Sequence, residues 1–112
     1  MRRKSGEETS LVRQILEYLS LRGIWAYRVN TGALRDKTGR PVFFGVKGHP
    51  DIVARSKPGR IQRESCRVVW IEAKSSKGRQ SEAQKEWEQI ALKHGDKYIL
   101  ARKLEDVMEY FG

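Results

Sequence analysis

The sequence predicts an α/β domain, a sheet flanked by helices, in the order α-β-β-β-β-α-β-α. Two amphipathic stretches with apolar residues three and four apart bracket several short β-branched and aromatic runs, and Gly- or Pro-containing turns punctuate those runs. The 112 residues suit one modest core and leave no room for a second, and no repeat or low-complexity linker divides them, so residues 1–112 are read as a single domain.

Residues 5–21 read as the first helix because Leu11, Val12, Ile15, Leu16 and Leu19 form one stripe, and Gly23 ends it. IWAYRVN (24–30) has strand composition, TGALRDKTGR (31–40) reads as a loop or hairpin, and PVFFGV (41–46) as the returning strand. DIVAR begins a strand at Asp51 and the turn SKPGR follows it. The next strand ends in RVVWIEAK, and the two strands are expected to pair. After the polar loop SSKGRQ, the spacing of Ala83, Trp87, Ile90, Ala91 and His94 makes a second helix that stops at Gly95. YILAR is a short strand, and LEDVMEYF closes the chain as a small helix.

Lys and Arg number 23 against 14 Asp and Glu, a formal net charge of +9, so a polyanion is the expected partner, although part of the excess is simply a solvated surface. Cys66 is the single cysteine, which excludes an internal disulfide and a cysteine-based zinc site and fits a reducing cytosol. No apolar run approaches the roughly 20 residues of a membrane span, and MRRKSGEET is not followed by a signal-peptide hydrophobic stretch. The expectation is a cytoplasmic protein.

Two stretches carry chemistry. In GHPDIV an acid stands where the chain enters a strand. In VVWIEAK, residues two apart share a face, so Glu72 and Lys74 point one way while Val69, Ile71 and Ala73 point the other. If the strands pair, Asp51 comes close to Glu72, and two neighbouring carboxylates repel unless a cation or proton lies between them. A hard divalent ion such as Mg²⁺, which prefers oxygen ligands, would resolve the conflict. Lys74 would then hold an attacking hydroxide or stabilise charge developing on a phosphate. The competing reading makes Asp51 a turn cap and Glu72–Lys74 a cross-strand ion pair.

The wider pattern is Gly48-His49-Pro50-Asp51-Ile52, then Ile71-Glu72-Ala73-Lys74, Gly78, and Ser81 with Gln84 at a helix start, preceded by a helix bearing Glu8. It resembles the VRR-NUC family, the virus-type replication and repair nucleases of the PD-(D/E)xK superfamily, over nearly the whole chain. Standalone members of this size look like phage or prophage proteins. The resemblance implies a restriction-endonuclease-like core with a central mixed sheet, and Mg²⁺ or Mn²⁺ as cofactor. It implies that Asp51, Glu72, the Ala73 carbonyl and Glu8 bind the metal, that Lys74 is the catalytic lysine, and that Gln84 faces the site. Glu8 is preferred to Glu7 because it lies seven residues before Ile15 on the apolar stripe. Both Glu8 and Gln84 have a local competitor, since Ser5-Gly6-Glu7-Glu8 and Ser81-Glu82-Ala83-Gln84 each fit a capping box.

Arg28, Arg35, Lys37, Arg40 and Lys47 surround the approach to Asp51, and Lys77 and Arg79 follow Lys74, so these residues are expected to track phosphates without reading sequence. His49 is expected to touch substrate or to face solvent in its turn. Trp25, Trp70 and Trp87 sit in apolar patterns and read as core or interface.

The expected activity is metal-dependent hydrolysis of DNA phosphodiesters. The resemblance further implies a symmetric homodimer acting on branched DNA, a four-way junction above all, because a two-fold dimer places two sites on opposite arms. Phe43 and Phe44 of the 30–47 hairpin are a candidate dimer surface. A flap or nicking nuclease, a restriction-like duplex cutter, and a non-catalytic basic DNA-binding module are the alternatives.

Overall fold

A computed structural model of the chain describes residues 6–29, 32–44, 46–56 and 67–112, with 32–35 and 41–44 described by their backbone. Ser5, Cys66 and the Pro-Gly turn after Ser56 lie outside the described residues, as do the side chains of Arg35, Phe43 and Phe44. Helix α1 (Gly6–Leu21) buries Leu11, Val12, Ile15 and Leu19, the stripe read from the sequence. It ends where Gly23 takes a φ of 67°, and the amide of Ile24 turns back to the Leu19 carbonyl.

Five strands follow before the second helix, one more than expected. They are β1 (Ala26–Arg28), β2 (Gly32–Arg35), β3 (Pro41–Phe44), β4 (Ile52–Arg55) and β5 (Val68–Ala73). The added strand is β2, which pairs antiparallel with β3 from Gly32↔Phe44 to Arg35↔Pro41. This hairpin is a two-stranded sheet of its own. Its turn is organised by Asp36, whose Oδ1 accepts from the Thr38 amide, the Thr38 hydroxyl and the Arg40 amide at 2.7–2.9 Å. Only Ala33 and Leu34 separate Gly32 from the first charge, so the stretch has too little apolar alternation to read as a strand.

The main sheet runs β1-β4-β5-β6, where β6 is Lys97–Ala101. β4 pairs antiparallel with both β1 and β5, and β5 pairs parallel with β6, so the sheet is mixed. Between β5 and β6 the chain crosses over through α2 (Glu82–Lys93), as a parallel pair requires. Helix α3 (Leu104–Phe111) closes the chain.

One face of the sheet contributes Ile52, Ala54, Val69, Ile71, Ala73, Ile99 and Ala101 to a core completed by α1 and by Val107 of α3. Each fully buried Ile or Leu there contributes about 1.5–3 kcal/mol. The other face carries Trp70, whose ring meets Trp87 of α2 at 5.3 Å. Helix α2 therefore lies across the sheet from α1 and α3, giving three layers. Among the described residues, no helix is long and apolar enough to cross a membrane.

Candidate active site

Register decides what Asp51 meets. Partners in β4 and β5 run from Arg55↔Val68 to Ile52↔Ile71, and one further step sets Asp51 opposite Glu72. The backbone continues in register on the other side as well, where the amide of Val29 donates to the Asp51 carbonyl at 2.8 Å. Asp51 Oδ2 in turn accepts the amide of Ala73 at 2.8 Å. The acid at the strand start is thus tied across to the strand that bears Glu72.

Alternation in β5 does what the sequence implied. Val69, Ile71 and Ala73 enter the core, while Glu72 and Lys74 face the opposite side. The Lys74 Nζ lies 4.0 Å from Glu72 Oε2. Three charged side chains are buried here, with Glu72 1% exposed, Lys74 6% and Asp51 8%, and on α1 Glu8 is buried at 4%. Helix α1 reaches the same end of the sheet, because the exposed Glu7 accepts the amide of Ser76, two residues beyond Lys74, at 3.0 Å. Glu8, on the apolar stripe, is the buried member of that pair of acids.

The loop after Lys74 is held from outside. The Arg102 guanidinium donates to the carbonyls of Ser75 and Gly78, each at 2.7 Å. A methyl group at Gly78 would stand 3.0 Å from Ser75 Oγ and 3.5 Å from Lys74 Cδ, so the loop packs directly on the lysine stem. Nothing in the sequence marks Arg102, one of 23 basic residues, for this task.

The turn before Asp51 is pressed against α2. Gly48 has a φ of 82°, a conformation glycine adopts freely, and an added Cβ would lie 2.5 Å from the Ala83 carbonyl oxygen. His49 packs between indoles, with ring centroids 4.5 Å from Trp87 and 5.5 Å from Trp70. Its Nδ1 is 2.7 Å from the Pro50 carbonyl, which only accepts, so Nδ1 carries a proton and Nε2 is the other face of the ring. Trp70 Nε1 donates to Asp96 at 2.8 Å. Trp70 and Trp87 are therefore packing residues, whereas Trp25 stands out in solvent.

Tyr98, beside Trp70 in β6, extends the same face. Burial, together with the negative charges of Glu72, Glu88 and Asp51, pushes its phenol well above the usual range, against the opposing bond from Gln80. The hydroxyl is a fixed proton donor or acceptor that the sequence reading missed. Gln84 closes the capping box of α2: its side-chain Oε1 accepts the Ser81 backbone amide at 2.8 Å, and its backbone N–H donates to Ser81 Oγ at 3.2 Å. Its side-chain oxygen is committed to the helix start.

Of the basic candidates, Arg28, Lys37, Arg40, Lys47, Lys77 and Arg79 are exposed. Lys77 and Arg79 lie in the loop that packs on Lys74. Arg28 pairs with Ile52, a core-facing residue, and so points to the sheet face opposite Asp51 and Glu72. Among the described residues, no group of three or more His, Cys, Asp or Glu side chains is gathered to hold a metal ion. The donors that register brings together are the oxygens of Asp51 and Glu72 beside the Ala73 backbone. That set fits a hard cation such as Mg²⁺, which takes one or two carboxylates and fills its other positions with water and substrate phosphate. No protein-family model, curated protein or solved structure matches the chain.

Proposed function

We propose that the chain is a metal-dependent DNA endonuclease with a restriction-endonuclease-like core of the PD-(D/E)xK, VRR-NUC-like kind. The observation that supports it most is the burial of Asp51, Glu72 and Lys74 together at strand ends, in a 112-residue domain with little core to spare. Removing such groups from water costs several kcal/mol per ion, and replacing them with apolar residues would commonly stabilise the fold. Their presence therefore calls for a use other than stability.

In this reading Asp51, Glu72 and the Ala73 carbonyl would hold Mg²⁺ or Mn²⁺, and Glu8, although buried, is not gathered with the two acids as a third ligand. Such an ion, once bound, acidifies a water and polarises a phosphoryl oxygen. Lys74, beside Glu72, orients the nucleophile and stabilises the added charge on the phosphate. The attacking water gives up a proton to solvent as its oxygen bonds to phosphorus, the bond from phosphorus to the sugar oxygen breaks, and the leaving oxygen takes a proton from solvent. Any contact of Gln84 with substrate uses its amide nitrogen. Lys77, Arg79, Lys47 and the hairpin cations Lys37 and Arg40 hold flanking phosphates, and His49 Nε2 is the edge of its ring that can reach substrate.

The working unit in this reading is a symmetric homodimer in the cytoplasm of a bacterial host, each protomer cutting one strand of a four-way junction. The test is incubation of labelled four-way junction, flap and blunt duplex with Mg²⁺, Mn²⁺ or EDTA, beside Glu72→Ala. Paired, metal-dependent cuts in the junction, absent in the variant, are the expected result. Binding without cutting in either metal would instead favour a non-catalytic basic module, in which Asp51 joins strands and Glu72–Lys74 is a buried pair.

A further inference from the structure

The half of the sheet face that α2 leaves open carries two exposed aromatic side chains in line with the acid pair. Residues at one level across the sheet are Tyr27, Val53, Trp70 and Tyr98. Two residues further along β4 and β5, on the same face, stand Asp51 and Glu72. Two residues the other way stands Trp25, whose carbonyl accepts the Arg55 amide at 3.0 Å. Over Trp70 the face is closed by His49 and Trp87. Over β1 it is open: Trp25 is 62% exposed and Tyr27 47%, with their rings 5.2 Å apart and inclined at 67°.

Two large aromatic groups side by side in water lose favourable burial and call for an occupant. Charge selects which. Residues 22–29 and 52–56, the segments around this ledge, contain no Asp or Glu, and of their arginines Arg55 is the one on this face, since Arg28 points to the other face and Arg22 donates to the Phe111 carbonyl. Arg55 continues the register directly opposite Trp25 and is exposed. A second copy of this chain related by a two-fold axis on the ledge would bring Arg55 against its own copy with no acid from these segments to offset it. A polyanion with flat apolar faces suits both features, because bases stack on aromatic rings while arginine meets phosphate.

We propose that Trp25 and Tyr27 are a stacking ledge for the unpaired bases of a single-stranded DNA segment running into the site at Asp51 and Glu72. The proposal rests on the nuclease reading for the identity of the ligand as substrate, and it adds a substrate class distinct from the fully paired four-way junction: DNA with a single-stranded stretch beside the scissile phosphate. Strand rise puts Trp25 about 13 Å from the level of Asp51, four residues at about 3.3 Å each. The ledge lies along the sheet from the acids, so a strand held there is threaded toward them. Stacking tolerates any base, so the ledge selects structure and not sequence.

The test is binding of labelled oligothymidylate and of blunt duplex, both in EDTA so that no cutting is required. Expected results are that oligothymidylate quenches tryptophan emission in the wild type, and that Trp25→Ala weakens its binding about ten-fold while leaving duplex binding unchanged. Trp25→Phe keeps most of the affinity but loses the quench, which assigns the signal to Trp25 among the three tryptophans. Tyr27→Leu, which keeps the bulk, weakens single-strand binding in the same selective way and supplies the reading if Trp25→Ala fails to fold. Equal losses on single strand and duplex would overturn the proposal, as would no loss, or dissociation of a dimer by Trp25→Ala. Absence of cleavage with this discrimination intact would remove the nuclease reading and leave the ledge standing.

Discussion

Asp51 Oδ2 accepts the backbone amide of Ala73 at 2.8 Å, so one carboxylate both joins two strands and stands opposite Glu72. The two duties separate by substitution. Asp51→Ala strands a buried amide and is expected to cost about 1–3 kcal/mol, or roughly 4 °C in melting temperature per kcal/mol. Asp51→Asn keeps an acceptor oxygen, melts close to the wild type, and loses cleavage by more than about a hundred-fold because the charge is gone. Thermal melts run beside cleavage assays check both halves. Wild-type cleavage by Asp51→Asn would reduce Asp51 to a strand fastener.

If Asp51 and Glu72 hold a metal ion as proposed, folding is linked to that ion. An ion that binds only the folded chain raises its stability, by about 2.7 kcal/mol when present at a hundred times its dissociation constant. Mg²⁺ or Mn²⁺ is therefore expected to raise the melting temperature of the wild type and to leave that of Glu72→Gln unmoved. An equal rise in both proteins would place the ion elsewhere.

Gly48 and Gly39 share a positive φ, at 82° and 85°, and differ in surroundings. A methyl group at Gly39 meets nothing within 4 Å, whereas one at Gly48 meets the Ala83 backbone at 2.5–2.6 Å. Gly39→Ala should cost about 1–2 kcal/mol of left-handed strain alone. Gly48→Ala adds a clash that only a shift of α2 or of the Asp51 turn can relieve, so it is expected to cost more and to lower cleavage as well. Comparison of the two variants by melting and by cleavage isolates the packing contribution. Equal stability would mean that the turn is not pressed on α2.

The acids were legible because alternation is a strict code: a charge on the packed face of VVWIEAK would have broken the core, so Glu72 and Lys74 had to point away from it. The N-terminal stripe was legible for the same reason, and the structure buries Glu8, the acid that lies on it, while Glu7 is exposed. What escaped the sequence depends on long-range contact. Arg102 holds the Ser75–Gly78 loop across 24–27 positions of chain, and His49 finds Trp70 and Trp87 only after β5 and α2 have met. The three tryptophans look alike in pattern, yet the edge position of β1 exposes Trp25 while α2 covers Trp70. Gln84 shows the reverse case, where a purely local code, the capping box, was available and is the one the helix uses.

Three hydrogen bonds at the Asp36 carboxylate hold the β2–β3 turn, led by the Thr38 hydroxyl and the Arg40 amide, and they lower its pKa below 3.8. A depressed folded value means the bonds contribute fully above the unfolded pKa and are lost as pH falls through the folded one. The Thr38 and Arg40 amides are expected to shift together below pH 3.8 in an NMR titration. The same amides should be displaced at neutral pH in Asp36→Ala. A carboxyl titrating at or above 3.8 would contradict the bonding.

Arg102 touches no acid of the site and acts through the loop that follows Lys74. Its guanidinium donates to the Ser75 and Gly78 carbonyls, and Gly78 packs on the Lys74 stem. The side chain is exposed, so Arg102→Ala is expected to change stability by no more than about 0.5–1 kcal/mol. Loosening of the loop should nonetheless lower kcat about ten-fold with KM little changed, because a misplaced ammonium weakens the transition state more than the bound substrate. Arg102→Lys keeps a cation but cannot span two carbonyls in a fixed fork, so only partial recovery is expected. Hydrogen exchange at Gly78, whose amide donates to the Ser75 carbonyl at 3.1 Å, reads the loop directly and should quicken in both variants. Unchanged exchange with reduced cleavage would mean that Arg102 meets the nucleic acid itself.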